Sequence, residues 1–179
     1  MAEFTLMGFA RFLAEGLVTM DGTRHRDMTM ACRALQRASR KMLGTYQTGS
    51  SQFSSWQQLA DRTMIERYRL GFPVNKPLDR THELRRNIDY QVSEMGHEGA
   101  VGVPNRVVGN GTLRNPTRNI GEVALDLEMG APAKNLPARS FLGLAASKNG
   151  EKLALYLGGR AASSLFGNGV VRVPDIQDL

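Results

Sequence analysis

Two carboxylates, Asp126 and Glu128, have the residue types and the spacing that acid/base chemistry uses. They lie two residues apart in a segment of alternating apolar residues, so a strand would place both on one face, about 7 Å apart. That separation is compatible with a general acid and a general base. The polar face of an amphipathic strand predicts the same two residues, and no substrate-binding motif accompanies them. We therefore expect a structural strand here and a protein that is not an enzyme.

The other reactive residue types are scattered. His25, His82 and His97 are far apart in sequence and lack the i, i+4 spacing of a helical metal pair. Cys32 is the only cysteine, which rules out an intrachain disulfide and a cysteine-based zinc site. The Gly-Asn-Gly run at 109–111 lacks the Gly-Lys-Ser/Thr of a phosphate loop and is typical of a turn. The sequence thus predicts no metal and no cofactor.

Basic residues give the chain a formal net charge of +6 and are concentrated at 24–41 and 62–86. Such a charge favours polyanionic partners without naming one. The segment 99–121 contains three arginines and no acidic residue, and it is the best local candidate for contact with DNA or with a partner protein. These arginines are Arg106, Arg114 and Arg118. A basic nucleic-acid-binding module is therefore one hypothesis for the function.

The first half of the sequence has the apolar periodicity of helices. The spacing predicts one helix over 4–18, a break at Asp21-Gly22, and a second helix over 23–46 that Thr23 caps. A polar loop follows at 48–55. Asp61 is positioned to cap a short helix that ends at Gly71.

The second half has the alternation of strands. We expect strands at 88–92 and 101–103, a hairpin or protruding loop over 104–118 that turns at Asn110-Gly111, and a further strand at 123–129. Ser147 is expected to cap a last helix that stops at Gly158-Gly159.

These elements predict an α+β fold in which N-terminal helices pack on a small, mostly antiparallel sheet, followed by a C-terminal helix and an extended tail. We expect one domain over 1–159, with a helical part at 1–47 and a sheet-plus-helix core at 55–157. The tail, 160–179, is expected to be loosely held or to dock on a neighbour. No apolar run approaches the roughly 20 residues of a membrane span, and the first residues do not form a secretion signal, so we expect no membrane partner.

Four separated blocks, in this order and spacing, resemble tail-completion and neck proteins of tailed bacteriophages, the virion-morphogenesis proteins of the head-tail junction. The resemblance covers about 55–157. The blocks are SWQQLADRT (55–63), PLDRTHELRRNI (77–88), EMG (128–130) and PARSFLGL (137–144). The family usually has glycine where this chain has His82, and often a second proline where it has Ser140.

The resemblance implies a structural virion protein that assembles as a ring of six or twelve copies and connects the DNA-filled head to the tail. Its partners would be copies of itself, other neck, connector and tail proteins, and the packaged DNA in the channel. Assembly would occur in the cytoplasm of the bacterial host. Arg139 would lock a turn through a charge-assisted bond, and Phe141 and Leu142 would anchor that turn in the core. The structural or assembly residues implied are Trp56, Leu84, Arg85, Arg139, Phe141 and Leu142.

Overall fold

The chain has the predicted mixture of helices and short antiparallel strands. The computed structural model describes residues 6–166 and 172–179, with side chains from Met20 onward in those ranges. The helices in this part are α1 (Leu6–Met42), α2 (Asp61–Arg69), α3 (Glu83–Asn87), α4 (Ile120–Met129) and α5 (Leu142–Phe166), with a 3-10 turn at Pro132–Lys134. The strands are β1 (Asp89–Val92), β2 (Gly99–Gly102), β3 (Val107–Val108) and β4 (Arg118–Asn119). The α+β fold class is therefore confirmed.

Helix α1 is continuous through the break that we predicted at Asp21-Gly22, so the prediction of two helices is wrong. A glycine inside a helix costs only about 1 kcal/mol relative to alanine, which flanking helical turns can offset. Asp21 pairs with Arg24 one turn later at 2.6 Å, and this contact favours the helix. Thr23 is not a cap, because it lies inside α1. Residues 4 and 5 of the predicted first helix lie outside the described residues.

Helix α1 ends at Met42, and the turn that follows it contains a glycine, Gly44, whose backbone conformation favours that residue type. Gly44 has a φ of +91° and its N–H donates to Pro77 O at 2.8 Å. An added Cβ at this position would lie 3.2 Å from Asp79 Oδ2. Glycine is therefore suited both to the left-handed conformation and to the close approach of 77–79.

Helix α2 has the predicted start and end. The prediction that Asp61 caps this helix is wrong, because the N-cap is Ala60, which makes no side-chain capping bond. Asp61 lies in the first turn, where its negative charge interacts favourably with the helix dipole. The last residue is Arg69, two residues before Gly71.

The strands form two separate two-stranded sheets rather than one. Strands β1 and β2 pair with each other at the predicted places. Strands β3 and β4 pair antiparallel, with Val107 opposite Asn119, and the loop between them contains the predicted Asn110-Gly111 turn.

The segment that we predicted as the clearest strand, 123–129, is helix α4, so that prediction is wrong. Asn119 caps this helix by accepting a hydrogen bond from Gly121 N at 3.0 Å, a local signal that the alternating pattern obscured. Alanine, leucine, glutamate and methionine also favour helices over strands. Ile120 and Ala124, four residues apart, form its buried face. Asp126 and Glu128 consequently do not share the face of a strand.

Helix α5 begins before Ser147 and continues past Gly158-Gly159, so both predicted ends are wrong. The predicted tail is helical from Arg160 to Phe166. Arg160 Nε donates to Asp27 Oδ1 at 2.9 Å, which couples this part of α5 to α1. Such contacts between helices stabilise α5 across glycines that isolated helices tolerate poorly.

The contacts divide the chain into two compact units, although α1 and α5 each contribute residues to both. The terminal unit contains the described residues up to Ala34, Gln91–Ala100, and those from Gly150 onward; Ala31, Cys32, Ala34 and Ile176 are buried there. Burial raises the pKa of the Cys32 thiol. The central unit contains Leu35–Tyr90 and Val101–Asn149, and its core includes Leu43, Ile88, Ile120, Phe141 and Leu144. No helix in the described parts of the chain is long and apolar enough to cross a membrane.

Candidate functional site

Glu128 caps the N-terminus of helix α5. Its Oε1 accepts hydrogen bonds from Ser140 Oγ at 2.5 Å and Gly143 N at 2.8 Å. Its Oε2 accepts from Phe141 N at 2.9 Å and Leu142 N at 3.1 Å. Backbone N–H groups at the start of a helix lack partners inside the helix, and a carboxylate can accept hydrogen bonds from them. Its negative charge also interacts favourably with the positive end of the helix dipole. This carboxylate therefore binds the start of α5 in its own chain.

Trp56 and Arg139 join the segment before α2 to the segment before α5. Trp56 Nε1 donates to Ser140 O at 3.1 Å. Arg139 Nη2 donates to Gln57 O at 3.1 Å and to Gln58 O at 3.3 Å. Both side chains are buried, and burial lowers the pKa of the Arg139 guanidinium. We call Glu128, Trp56, Arg139 and residues 140–143 the Glu128 clasp.

The two apolar residues expected beside Arg139 differ in burial. Phe141 is fully buried, whereas Leu142 is half-buried. The next residue, Gly143, packs closely against Phe53. A Cβ added to Gly143 would lie 2.6 Å from Phe53 Cζ. The start of α5 is thus tightly packed in the central unit.

Arg85 caps the other long helix, α1, at its C-terminus. Its Nη1 donates to Arg40 O at 2.9 Å, and its Nη2 donates to Leu43 O at 2.5 Å and to Asp79 Oδ2 at 2.9 Å. A cation at the C-terminus of a helix binds carbonyl groups that have no partner inside the helix. Its charge also interacts favourably with the negative end of the helix dipole. The neighbouring Leu84 is buried.

His82 adopts the conformation that glycine favours. Its φ is +59°, in the left-handed region, and it stands at the N-cap of α3. The imidazole Nδ1 lies 2.7 Å from Asp79 Oδ1, so Asp79 contacts both His82 and Arg85.

Each of the three hairpin arginines contacts a different partner in the central unit. Arg106 Nε donates to Asn87 Oδ1 at 2.6 Å. Arg118 Nη2 lies 3.4 Å from Glu83 Oε2. The Arg114 guanidinium lies over the ring of Phe72, 5.6 Å from its centroid. These contacts attach the β3–β4 hairpin to the rest of the central unit.

A cavity of about 510 Å³ adjoins the Glu128 clasp within the central unit. Arginines from α2, from the 77–88 segment, from β4 and from the clasp line it, together with a single carboxylate. These are Arg67, Arg80, Arg118, Arg139 and Glu83. The sequence showed Arg67 and Arg80 only as part of a basic stretch, because their convergence depends on how four distant segments pack.

Among the described residues, no group of three or more histidine, cysteine, aspartate or glutamate side chains is arranged to hold a metal ion. Comparisons with protein-family models, with curated proteins and with solved structures find no match to this chain.

Proposed function

We propose that the chain is a structural protein of the head-tail junction of a tailed bacteriophage, a neck or tail-completion component that assembles as a ring of six or twelve copies. The observation that carries the proposal is that the sequence blocks that resemble this family lie together in the fold. The blocks 55–63, 128–130 and 137–144 are hydrogen-bonded to one another in the Glu128 clasp. The block 77–88 lines the cavity beside it.

The use of polar groups supports a structural role. Three charged side chains bind backbone groups of the chain itself. Glu128 binds the start of α5, Arg139 binds the segment before α2, and Arg85 binds the end of α1. These contacts stabilise the positions of α1 and α5. The clasp is what a rigid building block requires.

Ring assembly also requires two different patches on each copy, because a contact that closes a ring is heterologous. The central unit has two short apolar stripes at helical spacing. On α2, Ile65 and Tyr68 are exposed, and the Tyr68 side chain is 76% accessible. On α4, Leu125 and Met129 are exposed, and Met129 is 73% accessible. Exposed apolar groups of this kind favour contact with another protein surface.

The first test asks whether the protein is part of the particle. Purified virions of the phage that encodes the chain are analysed by quantitative mass spectrometry, with the major capsid protein as the reference. We expect six or twelve copies per virion. Absence of the protein from mature virions would contradict the proposal.

The second test alters one apolar stripe. The double substitution Leu125→Glu and Met129→Glu places charges on exposed positions, so the monomer should fold while a contact between copies is lost. We expect complementation of a gene deletion to fall at least about tenfold in titre, with unjoined heads visible by electron microscopy. The control is Met95→Glu, another exposed methionine at 71% accessibility, which should complement normally. Equal titres for both variants would reject the stripe on α4 as a contact.

A further inference from the structure

We propose that the cavity of the central unit is a binding site for a small molecule that carries a carboxylate or phosphate group on an apolar body. This inference does not depend on the head-tail proposal, since it concerns the charge and shape of one cavity. Four observations lead to it: the excess of arginine, unpaired guanidinium N–H groups, concentrated backbone strain, and an apolar wall.

The cavity has more positive charge than its own residues neutralise. Arg67 and Arg139 are buried, at 8% and 5% exposure, and neither forms an ion pair with a carboxylate of the described residues. Arg67 Nη1 instead donates to Lys76 O at 2.5 Å and to Pro73 O at 3.4 Å. Burial and the nearby Arg80 charge lower the pKa of Arg67. Buried cations without an opposite charge are unfavourable, and a bound anion would offset that cost.

Two further arginines have donors that nothing in the described chain accepts. The Nε atoms of Arg80 and Arg118 are buried and have no hydrogen-bond partner there. The ion pairs of these residues are long, 3.6 Å for Arg80 with Glu66 and 3.4 Å for Arg118 with Glu83. Buried N–H groups are nearly always hydrogen-bonded in folded proteins. Guanidinium N–H groups that line one cavity offer donors suited to the oxygens of carboxylate and phosphate.

Backbone strain is concentrated around the same cavity. In the described part of the chain, three residues other than glycine have a positive φ: Leu78 at +59°, His82 at +59° and Asn135 at +50°. All three line the cavity. Histidine and asparagine adopt the left-handed conformation more readily than leucine does, so Leu78 is the most strained of the three positions. Such strain recurs at ligand-binding sites, where the surrounding structure holds it.

The remaining wall indicates what accompanies the anion. Apolar side chains line the cavity together with the arginines: Leu59, Leu84, Ile120, Val123, Leu127 and Leu136. A volume of about 510 Å³ exceeds what a bare phosphate fills and lies in the range of small-molecule sites. The ligand class is therefore an amphipathic anion, for which benzoate and phenyl phosphate are suitable probes.

The test is isothermal titration calorimetry of the full chain with phenyl phosphate, benzoate, inorganic phosphate and neutral benzyl alcohol at one fixed ionic strength. We expect saturable binding of phenyl phosphate or benzoate, with the tighter of the two identifying the anion, and weaker or no binding of inorganic phosphate and benzyl alcohol. Arg80→Gln and Arg118→Gln should each lower the affinity roughly tenfold, because each removes a charge-assisted hydrogen bond. The matched control is Arg86→Gln, which removes the same charge at an exposed position outside the cavity lining and should bind as the parent does.

Three results would overturn the proposal: no saturable binding of either amphipathic anion, equal binding of benzyl alcohol, or an equal loss of affinity in Arg86→Gln. Circular dichroism checks that the variants fold. If a cavity variant does not fold, NMR spectra of the parent chain decide instead. Phenyl phosphate should then shift the amide signals of 57–60 and 135–139, and shifts confined to other residues would reject the site.

Discussion

Glu128 has a role at the residue scale that its sequence position did not reveal. As one of two nearby acidic residues it suggested an acid/base pair, and the structure gives it four hydrogen-bond donors at the start of α5. Asp126, the other member, pairs with Lys134 at 2.5 Å. The two carboxylates therefore act separately, one as a helix cap and the other in a surface ion pair.

Replacing Glu128 with glutamine should destabilise the protein by roughly 2–3 kcal/mol, because the amide loses the negative charge and turns an NH₂ group toward N–H donors. The measurement is urea denaturation followed by circular dichroism. Glu151→Gln is the control, since Glu151 is an exposed acid inside α5, away from both helix ends, and its effect should stay within about 0.5 kcal/mol. Similar midpoints for the two variants would show that the cap contributes little.

His82 shows where residue-level prediction stops. The family that the sequence resembles usually has glycine at this position, and the histidine left the geometry of the turn open. The backbone has a left-handed φ of +59°, and the imidazole Nδ1 lies 2.7 Å from Asp79 Oδ1. Histidine itself does not predict that conformation, because it depends on the surrounding contacts.

At the scale of elements, β2 packs closely on α1 in the terminal unit. A Cβ on Gly99 would lie 2.4 Å from Cys32 Sγ and 3.0 Å from Met28 Sδ. These distances are too short for ordinary contact, so either a side chain or the strand must move. The close approach makes Gly99 and Cys32 a coupled pair.

Gly99→Ala should lower the free energy of unfolding by about 1–3 kcal/mol through overpacking. Adding Cys32→Ala removes the sulfur that the new methyl group meets, so the double variant should be more stable than the sum of the single effects predicts, with a coupling of at least about 0.5 kcal/mol. Urea denaturation of all four proteins gives the coupling. Gly102→Ala is the control, because nothing lies within 4 Å of its added Cβ. Strict additivity of Gly99→Ala and Cys32→Ala would contradict the close contact.

Elements with strong local signals were predictable, and elements held by distant contacts were not. Asn110-Gly111 and the α2 start at Asp61 correctly indicated a hairpin and a helix. For 123–129 the pattern fitted both periods, since residues four apart also recur, and the Asn119 cap favours the helix. The start of α5 is held by Glu128, 14 residues before Leu142. The last turns of α5 are held by Asp27, which is 133 residues from its partner Arg160. No periodicity within a segment reports such contacts.

At the scale of the whole molecule, the formal charge of +6 includes arginines whose guanidinium groups already hold internal contacts. Arg85 and Arg139 bind backbone carbonyls, and Arg106 binds Asn87. Composition reveals the number of arginines but not which ones the fold uses, which is why the cavity could not be predicted from sequence.

The nucleic-acid hypothesis makes a prediction opposite to that of the structural proposal. If the hairpin arginines serve internal contacts, Arg114→Gln should leave affinity for duplex DNA unchanged within about twofold and leave its salt dependence unaltered, measured by fluorescence anisotropy between about 50 and 200 mM NaCl. If Arg114 binds phosphate, affinity should fall and the slope of log K against log salt should decrease in magnitude by about 1, because one fewer counterion is released. Lys148→Gln, which removes an exposed charge outside the hairpin, is the control. A loss specific to Arg114→Gln would favour the nucleic-acid-binding module.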